Sequence, residues 1–284
     1  MAALILACPA KINLTLEVLG RYPDGYHQIA SVMQAISLAD TLTLEPANEI
    51  TFECDPPALA GPDNLVVRAA RLLKETTGYR DGARLHLCKG IPEAAGLGGG
   101  SSDAAAALRG LDQLWGLGLP AERLLEMAAG LGSDAPFFLY GGTGLAEGRG
   151  EQVTPLPAPA TTWLVLARPP VALPDKTRKL YGALTPLHYS RGERTQAMAE
   201  ALREGRPLTG DMFFNVFEAV APAAFPGIEE YKARLREAGG VGVHLAGSGP
   251  TIYAQFETKT RAEETLAKLE GLEVYLAHTL GAAN

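Results

Sequence analysis

The chain has 284 residues, 47% of them hydrophobic and 20% charged, which is enough for one large domain or two ordinary ones. A formal charge of −7 carries no basic excess, which argues against a protein whose main task is gripping a nucleic-acid backbone with clustered Lys and Arg. No apolar run approaches the roughly 20 residues that cross a bilayer, so we expect a soluble cytoplasmic protein with neither nucleic-acid nor membrane partners.

In chain order, strands come first. The short apolar opening lacks a basic leader and runs into Pro9 and Lys11, so it reads as a first strand rather than a secretion signal. Residues 4–8, 12–19, 29–38 and 42–44 have strand length and composition. Asp63-Asn64 caps a helix with Leu65, Val66, Ala69, Leu72 and Leu73 on one face, and Gly78 ends it. A strand over 83–88 then leads into a glycine-rich loop, an alanine-rich helix over 103–115 and a helix over 121–131. Between Thr154 and Pro159 three prolines alternate over five residues; proline denies sheet and helix an amide donor, so this stretch is the expected connection between domains at 1–155 and 160–284.

The second half restarts with a strand over 163–168 and a polar loop through Lys176 and Lys179. Helices over 193–204, 213–224 and 228–238 follow. Strands over 241–246 and 251–256 bracket a glycine turn, and a helix over 261–269 and a strand over 273–277 complete the pattern. This order suggests an α+β fold with an antiparallel sheet. Cys8, Cys54 and Cys88 cannot form a disulfide framework and lie too far apart for a metal clip, so they read as small buried apolar residues in a reducing compartment.

The strongest chemical signal is Pro92-Glu93-Ala94-Ala95-Gly96-Leu97-Gly98-Gly99-Gly100-Ser101-Ser102-Asp103. Glycines let backbone amides turn toward an anion, and the following helix directs its unpaired N-terminal amides the same way. Each hydrogen bond to a charged partner is worth roughly 1.5–3 kcal/mol, so two or three amides can hold a triphosphate without a lysine in the loop. A P-loop is excluded because no Gly-Lys pair exists, and a dinucleotide fingerprint matches only in part because Ser101 stands where its third glycine belongs. A plain strand–helix turn explains one or two glycines, not four glycines and two serines in seven positions.

Three further stretches each carry two readings. Lys11 and Asn13 share one face of a strand, either solvated or serving a phosphate or hydroxyl. The Pro23-Asp24-Gly25 turn presents Tyr26 and His27, either for core packing or for stacking on a nucleobase. Asp134 follows Gly132-Ser133 and precedes Ala135-Pro136, so it is an N-cap or a carboxylate placed to take a proton from a hydroxyl. The Gly247-Ser248-Gly249-Pro250 turn between two strands is a simple hairpin or a second amide-lined loop. No nucleophile elbow occurs and no His lies near a Cys or Ser in any nucleophile signature, so acyl transfer is unsupported.

Together these stretches resemble the GHMP kinase superfamily of galactokinase, homoserine kinase and mevalonate kinase. Ser101-Ser102-Asp103-Ala104-Ala105 is similar to its ATP-binding motif. The order of Pro9-Ala10-Lys11-Ile12-Asn13, Asp24-Gly25-Tyr26-His27, Gly132-Ser133-Asp134-Ala135-Pro136 and Gly247-Ser248-Gly249-Pro250-Thr251 is closer to the branch that phosphorylates 4-(cytidine 5'-diphospho)-2-C-methyl-D-erythritol at its 2-hydroxyl, in non-mevalonate isoprenoid synthesis. The resemblance implies a ribosomal-protein-S5-like N-terminal domain and a ferredoxin-like C-terminal domain. It implies Asp134 as base and Lys11 as its electrostatic partner, Asn13 on the methylerythritol, Tyr26 and His27 on the cytosine with Tyr181 as second wall, and residues 92–102 around ATP with Mg2+, whose ligands it leaves unassigned. It implies a small-molecule cytidine-diphosphate alcohol as partner and a monomer or weak homodimer. Another small-alcohol kinase and a non-catalytic nucleotide-binding protein are the rival functions.

Overall fold

The computed structural model describes residues 3–171 and 173–282. Strands β1 (Leu4–Arg21) and β2 (His27–Ala47) are continuous over 18 and 21 residues, where the apolar pattern suggested two strands each. The expected break in β1 falls at Pro9-Ala10-Lys11, and from Lys11 onward polar side chains, Lys11, Asn13, Thr15 and Glu17, alternate along one face and all are buried. They interrupt the hydrophobic pattern without ending the strand.

By its contacts the chain forms two compact units. One holds the described residues of Met1–Ala10 with Ala39–Glu93 and Gly98–Tyr140; the other holds Lys11–Leu38, Ala94–Leu97 and the described residues of Gly141–Asn284.

In the first unit, β3 (Thr51–Asp55) runs parallel to β4 (Gly82–Cys88), which pairs antiparallel with the Thr41–Ala47 end of β2. Leu42, Leu44, Leu85 and Leu87 point from these strands into a core shared with four helices: α1 (Leu65–Thr77), α2 (Gly99–Trp115), α3 (Ala121–Leu131) and α4 (Ala135–Tyr140). Asn64 caps α1 by accepting from the Val66 amide at 2.9 Å, and Gly78 closes it at φ 70°, both as the sequence predicts. Helix α2 starts at Gly99, four residues before the expected start, because Gly98 at φ 73° already turns the chain into helix. Its buried alanines, Ala104 to Ala107, bring α2 close to its neighbours.

In the second unit, the Ile29–Gln34 segment of β2 pairs antiparallel with β5 (Thr143–Gly148), and β5 pairs with β6 (Gln152–Leu156). Thus Thr154, Pro155 and Leu156, expected in a connection, form strand instead. Pro155 is tolerated because β6 pairs on one side only. A second, antiparallel sheet has the order β11–β7–β10–β9, with β7 (Trp163–Arg168), β9 (Val241–Leu245), β10 (Ile252–Phe256) and β11 (Glu273–His278). Helix α5 (Lys176–Ala183) replaces the expected polar loop, and α6 (Glu193–Arg203) follows as predicted. The expected 213–224 helix is the short strand β8 (Phe214–Asn215), a 3-10 turn and a one-turn helix α7 (Ala221–Ala224), since β8 pairs parallel with Thr15 and Leu16 of β1. Helices α8 (Ile228–Glu237) and α9 (Lys259–Ala267) complete this unit.

Residues 278–280 close the second unit: Gln34 donates to the Leu280 carbonyl at 2.7 Å, Leu280 N to Ala35 O at 2.9 Å, and His278 N to Ser37 at 3.0 Å. Among the described residues no helix is long and apolar enough to cross a membrane.

Gly82, at the start of β4, tests this packing. A Cβ there would lie 2.0 Å from the Glu49 carbonyl carbon, so the backbone itself must move. Gly82→Ala is expected to destabilise the protein by about 1–3 kcal/mol, read as a fall in urea midpoint at unchanged m-value.

Candidate functional site

The expected site residues divide between the two units. In the second, β1 presents Lys11 and Asn13, 4% and 2% exposed. Lys11 Nζ donates to Asn13 Oδ1 at 2.8 Å, Asn13 Nδ2 to Ser31 Oγ at 2.7 Å, and Ser31 Oγ to the Thr15 carbonyl at 2.6 Å. The fully buried Tyr253 hydroxyl donates to Asn13 O at 2.9 Å. The ammonium and amide therefore have fixed positions, which a solvated strand face would not provide.

Two glycine loops close over this pair. Residues Ala94, Ala95, Gly96 and Leu97 connect to β1 through Lys11 N donating to Leu97 O at 2.9 Å. They meet the turn between β9 and β10 backbone to backbone: a Cβ on Gly96 would lie 2.2 Å from Ala246 O, and one on Gly247 would lie 2.6 Å from Gly96 O. Gly96 and Gly247 also have φ values of 86° and 52°, so glycine is required at both on two grounds. The Gly247-Ser248-Gly249 turn is thus more than a hairpin. Asn215, 3% exposed, donates to both Leu245 O and Gly247 O at 2.8 Å, and Lys176 Nζ donates to Ser248 Oγ at 2.8 Å.

The same unit gathers an aromatic cluster. His27 stacks on Tyr181 with centroids 4.8 Å apart and meets the Tyr189 edge at 6.0 Å. Tyr26 is 57% exposed and lies under the Arg149 guanidinium, 4.3 Å from its centroid, while Arg149 also pairs with Asp24. Burial, then the Arg21 charge, hold the His27 imidazole below its ordinary value. At neutral pH it is uncharged and offers one donor and one acceptor. Neither Tyr26 nor the His27 ring is simple core packing.

The first unit holds Pro92 and Glu93, Gly98 to Ser102, and Asp134. Gly99, Gly100, Ser101 and Ser102 form the first turn of α2 rather than a loop, and the first amides of a helix lack intrahelical acceptors. Beneath this turn lies a buried ion group: Lys89 Nζ donates to Asp103 Oδ2 at 2.7 Å and to Asp40 Oδ2, and Asp40 Oδ1 accepts from Gly90 N and Ile91 N at 2.7 Å each. Burial, then the Asp40 charge, push the Asp103 carboxyl up to about 7 against the pull of Lys89. Burial lowers the Lys89 ammonium, but the two carboxylates outweigh it and hold that pKa above its ordinary value. Asp134 is half-buried in the turn before α4. That turn packs on α2: a Cβ on Gly132 would lie 3.3 Å from Ser101 Oγ.

Sequence reading missed Asp40, Lys89, Asp103 as a charged group, and Asn215. The first three are far apart in sequence with no shared spacing. Asn215 has a signal, as the lone polar residue in Phe213-Phe214-Asn215-Val216-Phe217.

Two family models match the chain: GHMP kinases N terminal domain over residues 64–142 and GHMP kinases C terminal over residues 194–272. A Dehalococcoides mccartyi protein described as 4-diphosphocytidyl-2-C-methyl-D-erythritol kinase is 44% identical over 281 residues, covering 98% of this chain and 99% of its own. A crystal structure of 4-(cytidine 5'-diphospho)-2C-methyl-D-erythritol kinase superposes with a TM-score of 0.83 at 34% identity, over 98% of this chain and all of that one. A homoserine kinase from Cytophaga hutchinsonii gives 0.75 at 19% identity, which speaks to fold alone.

Asp103 provides a pH test. Its carboxyl takes up a proton on folding between its ordinary value of 3.8 and about 7, so the stability it contributes is present at the acid end and is lost as pH rises through that window. Asp103→Asn is expected to remove this slope: the unfolding free energy of wild type minus variant, from urea titrations, is larger at about pH 5 than at about pH 8.

Proposed function

The chain belongs to the GHMP kinase family, and from that premise we propose that it transfers the γ-phosphoryl group of ATP to the 2-hydroxyl of 4-(cytidine 5'-diphospho)-2-C-methyl-D-erythritol. It has the mixed α/β fold of that family and is an ATP-dependent kinase of a small-molecule alcohol. The domain division at 1–155 and 160–284, cytoplasmic action and a monomeric or weakly dimeric state belong to the proposal.

Phosphoryl transfer passes through a loose transition state, so the protein mainly positions groups and neutralises charge. Residues 92–102 present backbone amides to the ATP phosphates, and the positive end of the α2 dipole favours the same anion. Asp134 takes the proton of the attacking 2-hydroxyl. Lys11, the electrostatic partner in this reading, offsets the negative charge of the transferring group. Asn13 hydrogen-bonds the methylerythritol. Tyr26 stacks on the cytosine, and the neutral His27 matches its mixed donor and acceptor edge. Tyr181 supplies the second aromatic wall, a role supported by its stacking on His27.

Mg2+ takes oxygen donors. Among the described residues, Ser102 Oγ and Asp103 Oδ1 are buried oxygens without a hydrogen-bond partner, which fits such an ion. These two would hold it, and when bound it neutralises phosphate charge.

The observation that carries the reading is the contact of Gly132 with Ser101, which sets the turn bearing Asp134 against the first turn of α2. Positioned proton transfer contributes typically about 10²–10⁴-fold, so Asp134→Asn is expected to lower kcat by that factor while ATP affinity is retained. Turnover near wild type would leave Asp134 only the capping role. A coupled ADP-release assay with Mg-ATP is expected to turn over the cytidylylated alcohol and not homoserine, mevalonate or galactose. Turnover with a plain alcohol would remove the nucleobase pocket from the reading. Silence with all four would favour a non-catalytic binding protein.

A further inference from the structure

Outside the kinase residues, three metal-ligating side chains converge on the solvent side of the first unit. β4 alternates strictly, with Leu85 and Leu87 in the core and His86 and Cys88 on the opposite face. Cys88 is the one cysteine of the three that is not buried. Its register partner on β3 is Asp55, so the two side chains share that face, and His86 lies beside them. His86 Nε2 lies 3.2 Å from Asp55 Oδ2, and Cys88 Sγ lies 3.9 Å from each of these atoms.

These separations are close to one face of a tetrahedral zinc site. With zinc about 2.3 Å from sulfur and about 2.0–2.1 Å from nitrogen and oxygen, tetrahedral angles give about 3.3 Å between N and O and about 3.5–3.6 Å from S to either. Cys88 Sγ is also 3.9 Å from His86 Nδ1, so forming the site requires the exposed imidazole to rotate until Nε2 points at the ion, as well as a closure of a few tenths of an ångström. The Asp55–His86 contact, with both side chains well exposed, contributes at most about 1 kcal/mol as an ion pair, so either side chain can reorient at little cost.

We propose that Asp55, His86 and Cys88 form a binding site for a borderline-soft divalent cation of the Zn2+ class. On binding, the Cys88 thiol releases its proton to solvent and Sγ bonds to the metal as thiolate; neutral His86 bonds through Nε2 and Asp55 through one carboxylate oxygen. The fourth position faces water. The donor set separates this site from any magnesium that accompanies ATP: Mg2+ requires octahedral oxygen and disfavours sulfur, whereas one N, one S and one O suit Zn2+ or Co2+. Glu53, in register with His86, adds a further negative charge on this side of the strand pair.

Titration of the full chain with Co2+, without ATP or Mg2+, tests the site. Wild type is expected to saturate near one equivalent, with a thiolate-to-cobalt charge-transfer band and the d–d intensity of four-coordinate cobalt, and Zn2+ should displace the signal. Loss of an outer-shell contact already costs about 10–100-fold in metal affinity, so Cys88→Ser, His86→Ala and Asp55→Asn should each weaken binding by at least about 100-fold at an unchanged melting temperature. Should a variant fold poorly, alkylation of wild type gives the same answer: Zn2+ should protect Cys88 from iodoacetamide, mapped by mass spectrometry. Absence of the thiolate band in wild type, its persistence in Cys88→Ser, or equal alkylation of Cys88 with and without Zn2+ would each overturn the proposal.

Discussion

The approach of Gly96 to Gly247 is the constraint on which the region around Lys11 and Asn13 in the second unit depends. Each glycine occupies a left-handed conformation, and each would drive a Cβ into the other loop's backbone. Because neither has a side chain, two loops distant in sequence pack main chain to main chain, and the amides of both stay near Lys11 and Asn13. Asn215 holds the same turn from below by donating to two of its carbonyls. A buried amide left unpaired costs about 1–3 kcal/mol, so this clamp and the turn stabilise each other.

The first unit solves a related problem with charge. The start of α2 is rich in glycine, which costs helix stability relative to alanine by roughly 0.5–1 kcal/mol per residue. Beneath it, Lys89 links Asp103 of α2 to Asp40 within β2, and Asp40 in turn accepts from the Gly90 and Ile91 amides. The link is rigid and directional. Loss of one partner from a buried ion pair typically costs about 3–5 kcal/mol, so this linkage holds the first turns of the helix against β2. A Cβ on Gly99 would lie 3.2 Å from Ile91 Cγ2 and 3.3 Å from both Asp40 Oδ2 and Lys89 Nζ, so these side chains would have to shift by a few tenths of an ångström to admit one.

Much of this was legible in the sequence, for physical reasons that also explain the misses. Helix α1 was clear because its cap, its apolar stripe and its terminal glycine agree. The glycine run over 96–100 stands out because its density exceeds what a turn needs, but its second half is the first turn of α2 rather than loop. Strands β1 and β2 look broken in sequence because Pro9-Ala10-Lys11 and Ala39-Asp40-Thr41 interrupt their apolar runs. Helix α5 was read as loop because Leu180 is its one buried residue, so it carries almost no amphipathic signal. The 213–224 segment has helix-like apolar spacing, but strand pairing with β1 prevails over local preference. The Asp40–Lys89–Asp103 group and the Asp55–His86–Cys88 group could not be read at all, because strand pairing and helix packing, not spacing along the chain, bring their members together.

The hydrogen bonds from Gln34, Ala35 and Ser37 to residues 278–280 have a consequence for biosynthesis. A ribosome makes the chain from its N-terminus, and residues 11–38 wait through more than two hundred further residues before these partners exist. The early strands therefore emerge with their polar row and part of their edge uncovered, which is the condition under which strands pair with the wrong neighbour. The second unit can reach its final form only after residue 280 has cleared the exit tunnel.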